Sequence, residues 1–234
     1  MTAEDLLSLP RVCEGAATPD GASYIFPVRT ARRDRKGYNA HLYVVRTADG
    51  QLRQFTRGKK ADAAPVCSPD GSQVAFVSKR GRHPGIHLLP LDGGEARPLV
   101  EKDGVFDSLS FSPDGKRLLC TFRPNDPHPV ASKDSGQSGH GESADGPAPK
   151  REPPVYRHVD RLFYRLDGVG FLPKAQPQIW LFDLSSGAGR QLGKVKWGAG
   201  YPTFSPDGKR VAYVANVRRD PDLEIDRDDL FVIP

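Results

Sequence analysis

His83 and His87 stand four residues apart, the spacing at which two imidazoles on one helix face hold zinc. Pro84-Gly85 between them breaks a helix and Ile86-His87-Leu88 reads as strand, so a loop histidine and a strand histidine are expected. Cys13, Cys67 and Cys120 are an odd number with no Cys-x-x-Cys pair, which argues against a disulfide framework and against a zinc site. Reduced, packed thiols are expected. Arg29 to Lys36, with Arg32-Arg33-Asp34-Arg35-Lys36, is the densest charge run and offers a phosphate or an acidic partner a place to bind. A solvated loop is the plainer reading of it. Thr2 followed by Asp5 resembles a capping box opening a short helix from Glu4 to Leu9, stopped by Pro10. Trp180 and Trp197 read as packing rather than as a ligand cage, and no Gly-rich phosphate loop, paired-carboxylate constellation or Walker pattern occurs. The chain therefore offers no catalytic, cofactor-binding or metal-ligating residue, and no cofactor is expected.

The elements around these residues follow from composition and repetition. A chain of 234 residues with 37% hydrophobic content is long enough for a sizeable core. Its 24 Gly and 22 Pro are about a fifth of the total, the punctuation of many short strands. The net charge of +5 is a mild excess spread along the chain and is no nucleic-acid footprint. Mean hydropathy is −0.53 and no apolar run is long enough to span a bilayer, so no membrane partner is expected. Glu4 and Asp5 stand where a secretory signal carries basic residues, which makes the cytoplasm the expected compartment.

One tetrapeptide recurs: Thr18-Pro19-Asp20-Gly21, Ser68-Pro69-Asp70-Gly71, Ser112-Pro113-Asp114-Gly115 and Ser205-Pro206-Asp207-Gly208, with 50, 44 and 93 residues between successive aspartates. Proline presets φ, aspartate bonds its own backbone and glycine accepts the positive φ that closes a hairpin. Each turn follows an apolar residue (Ala17, Cys67, Phe111, Phe204) and precedes a non-alternating apolar run: Tyr24-Ile25-Phe26, Val74-Ala75-Phe76-Val77, Leu118-Leu119-Cys120 and Val211-Ala212-Tyr213-Val214. Such runs are covered on both faces, as when sheets stack around an axis. Third strands are expected at His41–Val45, Ile86–Leu89, Ile179–Leu184 and Asp229–Ile233, and fourth strands at Gln51–Thr56, Glu95–Val100 and Arg190–Gly193. Four antiparallel strands per unit make an all-β β-propeller blade.

The expected units are blade 1 at 11–57, blade 2 at 62–101, blade 3 at 105–193 and an incomplete blade 4 at 199–234. Cys120 shares a repeat position with Phe26, Phe76 and Tyr213, and Cys67 with Phe111 and Phe204, so both thiols read as small core hydrophobes. The long third interval holds a polar stretch, Pro124 to Pro154, without an aromatic residue, which is expected to be a flexible insert in blade 3. Apolar residues return from Val155, with Asp167-Gly168 as a candidate hairpin turn; an extra degenerate blade is the alternative. The last unit ends a strand short, which favours a fragment of a larger propeller over a four-bladed ring closed by residues 11–17.

Phe111 to Arg117 and Phe204 to Arg210, each Phe-Ser-Pro-Asp-Gly-Lys-Arg, the opening Met1 to Val12, and the Tyr-Arg-Leu-Asp-Gly core within Arg157 to Gly170 together resemble the N-terminal propeller of prolyl oligopeptidase family serine peptidases. The nearest branch is the acylaminoacyl-peptidase and dipeptidyl-peptidase-like one, although TolB-type propellers share the turn repeat. The resemblance implies about four blades of a seven- or eight-bladed propeller that gates peptide access to, and docks, an α/β-hydrolase domain. No Gly-x-Ser-x-Gly occurs here, so catalytic chemistry is expected outside these residues and the chain alone is expected to be inactive. The peptide substrate is thus met through that other domain, and a homo-oligomer of the full-length protein is left open. A TolB-type scaffold that binds another protein is the alternative.

Overall fold

The computed structural model describes residues 2, 5, 9–32, 37–126, 159, 161–167, 170–224 and 227–234. Its architecture grows from the repeated turns. In the second of them the Gly71 N–H donates to the Ser68 carbonyl at 2.9 Å, Gly71 takes a φ of 69°, and the Ser68 N–H donates to the Gln73 carbonyl at 2.8 Å. A residue with a Cβ pays for that left-handed φ in strain, which is why glycine sits there. Gly21, Gly115 and Gly208 repeat the geometry at φ 70°, 67° and 68°.

Among the described residues eighteen strands result, and all their pairings are antiparallel. The first sheet contains β1 (Arg11–Val12), β2 (Ala16–Ala17), β3 (Ser23–Ala31), β4 (Tyr38–Arg46) and β5 (Leu52–Gln54), with β1 and β2 sharing the inner edge of β3. The second runs in chain order through β6 (Asp62–Cys67), β7 (Gln73–Ser78), β8 (Gly85–Pro90) and β9 (Arg97–Glu101). In the third, β10 (Gly104–Phe111) and β11 (Arg117–Pro124) are separated in sequence from their neighbours by a small hairpin of β12 (Arg165–Leu166) and β13 (Gly170–Phe171). That hairpin is a sheet of its own, and β14 (Gln178–Asp183) and β15 (Gly189–Gln191) complete the third sheet. The fourth holds β16 (Gly200–Phe204), β17 (Val211–Ala215) and β18 (Asp229–Ile233).

The core lies between the sheets. Ile25 and Leu42 of the first sheet meet Val74 and Phe76, while Ala75, on the opposite side of β7, joins Ile86 and Leu88 against Leu118, Cys120 and Phe182. Leu119 then faces Val211 and Ala215 of the fourth sheet. Adjacent residues of one strand therefore serve two different interfaces, the physical reason the central runs do not alternate. In β7 and β11 both faces are covered, whereas Tyr24 of β3 and Leu230 and Val232 of β18 remain open to solvent. Stacked antiparallel sheets of three to five strands, each led by its inner strand, are a β-propeller arrangement.

Several local expectations are revised. The basic run begins as strand rather than loop: Arg29, Thr30 and Ala31 belong to β3, and the Arg29 guanidinium lies 5.0 Å from the Tyr38 ring centroid. Residues 33–36 lie outside the described residues, as do 127–158 of the polar insert and Gly168 of the hairpin turn. Thr2 and Asp5 exchange capping-box bonds, Thr2 N–H to Asp5 Oδ2 at 2.6 Å and Asp5 N–H to Thr2 Oγ1 at 3.3 Å; most of the expected helix lies outside the described residues. The fourth strands are shorter or shifted, because β5 and β15 are outer edges with a single neighbour each.

Candidate functional site

Each sheet has two ends, and the residues at them differ in kind. At the turn end, every repeat aspartate is used locally. Ser68 Oγ donates to Asp70 Oδ1 at 2.5 Å and accepts from the Gln73 N–H at 3.1 Å, while Asp70 Oδ1 also accepts the Ser72 N–H at 3.0 Å. Thr18–Asp20, Ser112–Asp114 and Ser205–Asp207 repeat this network. The donated hydroxyl first, and the amide second, hold Asp20, Asp70, Asp114 and Asp207 below the ordinary carboxylate range. Asp183, in the outer turn of the third sheet, is held at about 2 by the Ser185 hydroxyl and then the Ser186 amide. Successive turns also touch: a Cβ at Gly71 would meet Pro19, one at Gly115 Pro69, and one at Gly208 Pro113, at 3.8, 3.9 and 3.5 Å. The Oδ1 atoms of the four repeat aspartates are thus engaged within their own turns, which makes this end a structural brace.

The opposite end carries the strand starts and the long connections, and there the repeat gives way to individual residues. Four positions before the turn serine, the inner strands bulge and place a residue in the left-handed region: Ala64 at φ 50°, Ser108 at 53° and Tyr201 at 52°. Ala, Ser and Tyr share no side-chain type, so no sequence signal marks the bulge. Tyr201 is 77% exposed, an aromatic held in a strained conformation without being packed.

Two ionic clusters sit at this end. In the second sheet the fully buried Asp62 accepts Ser78 Oγ at 2.6 Å and Arg80 Nη2 at 2.6 Å, with the Arg80 guanidinium 5.2 Å from the Phe76 ring centroid. Phe106 and Ala199 hold the place of Asp62 in the next two sheets, so the carboxylate interrupts an otherwise apolar repeat position. His87 is buried nearby with Nδ1 unpartnered among the described residues; burial first and Arg80 second push its pKa down. In the other cluster Arg161, which precedes the small hairpin, grips Asp222 of the β17–β18 connection through Nη2 at 2.6 Å and Nε at 3.3 Å. The Phe163 N–H reaches the same carboxylate at 3.3 Å, so the insert is tied down across the third and fourth sheets.

Trp197, half-buried, lies in the β15–β16 connection, beneath the Arg161 guanidinium at 5.2 Å and the Lys196 ammonium at 4.6 Å. Trp180 does pack within its sheet, edge-on to Phe122 and stacked on Phe182. His83 is in a connection and His87 in β8, so no helix face unites them. Burial pushes the Cys120 thiol up, and Cys67 is raised to about 11 by burial and then by Asp20; both thiols are protonated and packed. Among the described residues no hydrogen bond joins a serine or cysteine to a histidine.

Four stacked sheets, the braced turns and the inner-strand bulges are the features of a recurrent module. The sequence matches the family described as PD40, TolB beta propeller domain, over residues 13–147, more than half of the chain. The chain belongs to the TolB β-propeller family. This propeller is 29% identical to the uncharacterized peptidase YuxL of Bacillus subtilis over 231 residues, covering 97% of the chain and 33% of that protein. It is 24% identical to dipeptidyl-peptidase 5 of Porphyromonas gingivalis, covering 99% of the chain and 41% of that protein. Among solved structures, the acylaminoacyl peptidase of Pyrococcus horikoshii superposes with a TM-score of 0.66 at 15% identity, over 97% of the chain and 31% of that protein. The likeness to peptidase propellers read from the turn repeats, the opening segment and the insert is thus met by relatives carrying peptidase names. The propeller spans well under half the length of those relatives. No helix among the described residues is long and apolar enough to cross a membrane.

Proposed function

We propose that this propeller serves a prolyl oligopeptidase-like serine peptidase as its non-catalytic module, restricting peptide access to, and docking, an α/β-hydrolase domain. The single observation that carries the reading is the near-complete alignment of the chain with a third of a peptidase, insert included. The physical arrangement supports it. The turn end repeats one locally bonded unit, whereas the end with the insert clamp, the bulges and Tyr201 presents unrepeated side chains to whatever lies beyond. A docking or gating surface needs that individuality, since identical blades cannot recognise an asymmetric partner.

The test is to express the complete open reading frame and assay chromogenic acyl-aminoacyl and dipeptidyl substrates beside the 234-residue chain. Turnover by the complete product, blocked by a serine-directed phosphonate, with none by the 234-residue chain, is the expected pattern. An open reading frame without Gly-x-Ser-x-Gly would overturn the reading. The family match itself favours one alternative, a TolB-type scaffold that binds a protein at the same end.

A further inference from the structure

The excess charge of the propeller is concentrated by folding. Residues 57–60 (Arg-Gly-Lys-Lys) and 79–83 (Lys-Arg-Gly-Arg-His) lie apart in sequence and contain no carboxylate. The pairing of Asp62 with Ser78 is the end of the β6–β7 ladder, so the chain before Asp62 and the chain after Ser78 leave the second sheet side by side. Lys60 and Lys79 thus come together at one edge, and Arg57, Lys59, Arg80 and Arg82 lie on the two segments that lead to it.

Their surroundings leave most of that charge uncompensated. Of the two acidic groups beside them, Asp62 is saturated by Ser78 and Arg80, and Glu101 lies against Gly81, where any side chain would collide with its carboxylate. Among the described residues Lys60 and Lys79, both half-buried, make no ion pair, while Arg57, Lys59 and Arg82 are exposed. Burial first, and Lys60 second, lower the Lys79 pKa to about 8; no carboxylate offsets either cause. A half-buried ammonium facing another ammonium destabilises the folded protein until an anion arrives.

We propose that this edge of the second sheet is a binding site for an acidic polypeptide segment, with Lys60 and Lys79 as its centre and Arg57, Lys59 and Arg82 as its rim. Spread over two connections, the cations suit several carboxylates in a row better than a single small ion. Lysine-centred point charges fit carboxylates, while the guanidinium that could fork a phosphate, Arg80, is already held by Asp62. His83 is the sole ring in the two segments and the Phe76 ring is buried, so among the described residues these segments offer no aromatic platform for nucleic-acid bases. The site stands whether or not the peptidase reading does.

The test measures fluorescence anisotropy of a labelled octa-glutamate peptide, with labelled octa-glutamine as control, on the 234-residue chain at low salt. Octa-glutamate binds and octa-glutamine does not. Lys60→Met with Lys79→Met weakens binding about tenfold, whereas Arg190→Met, in β15, leaves it unchanged. Lys79→Arg retains it. Binding weakens as salt shortens the screening length and as pH rises from 7 to 9, because the free protein loses the Lys79 proton in that window. Bound peptide also shields Lys60 and Lys79 from acetylation read by mass spectrometry, which a purely structural role would not produce. Equal binding by the double variant, equal binding of octa-glutamine, unshielded lysines, or easier displacement by inorganic phosphate or an oligonucleotide than by unlabelled octa-glutamate would each overturn the proposal.

Discussion

The two ends of the same four sheets solve opposite problems. At the turn end, one Ser/Thr-Pro-Asp-Gly unit is copied with the same bonds each time, and each carboxylate finds its donors within a few residues. At the strand-start end, charges find partners far away in sequence or not at all: Asp62 with Arg80, Arg161 with Asp222, Lys79 only with Lys60. Local satisfaction makes a brace that tolerates repetition. Long-range satisfaction makes a surface that differs from blade to blade, which is where recognition can reside.

The largest way to break that contrast is at Asp62. Arg80→Met leaves a fully buried carboxylate without its cation and is expected to cost about 3 kcal/mol in urea unfolding. Replacing Asp62, Ser78 and Arg80 together with apolar residues should recover most of the loss, since Phe106 and Phe122 fill the matching positions of the third sheet. No recovery would mean the network does more than fill the core. At the brace, Ser68→Ala and Ser112→Ala each remove a buried hydroxyl that bonds an amide and a carboxylate, for an expected loss of about 1–2 kcal/mol. The two values should agree closely, because the turns are copies; a large disparity would sink the idea of equivalent turns.

The ends also separate by pH. The turn aspartates have folded pKa values below their unfolded ones, so their contribution is full above about pH 4 and is lost as pH falls through the folded values, near 2 for Asp183. Lys79 is opposite in sense. Its folded pKa of about 8 lies below the unfolded one, so the unfolded chain binds more protons between the two and stability rises with pH there. Thermal melts across pH 2–10 should show an acid loss that survives Lys79→Met and an alkaline gain that does not. The smallest effect is expected at the bulge: Tyr201→Gly relieves a left-handed φ at an unpacked side chain and should stabilise by about 0.5–1 kcal/mol. An unchanged or lowered midpoint would show that the exposed ring carries packing of its own.

Much of the fold was legible because its signals are local. Pro, Asp and Gly at fixed offsets dictate a turn before any tertiary contact forms, and the run after each turn dictates a strand. That strand is covered on both faces in β7 and β11 but not in β3, which among the described residues has a sheet on one side only and leaves Tyr24 open. The burial of Cys120 and the half-burial of Cys67 follow from counting along the repeat. The candidate surface was illegible for the complementary reason. Arg29–Lys36 drew attention as a continuous charge run, yet its first residues are strand, while a second basic cluster is assembled from two runs that only the β6–β7 register unites. Nor could residue type reveal the bulges at Ala64, Ser108 and Tyr201, since the unfavourable φ is imposed by ladder geometry rather than chosen by the side chain.

By itself, then, the sequence determined the turns, the strand order within each repeat and the interfaces between sheets, because these depend on backbone preferences and burial within about ten residues of each turn. Tertiary structure alone decided which charges meet, which carboxylate is buried and where the insert is anchored. Electrostatic pairing depends on distance through space, and only the closed ladders bring Lys60 to Lys79 and Arg161 to Asp222.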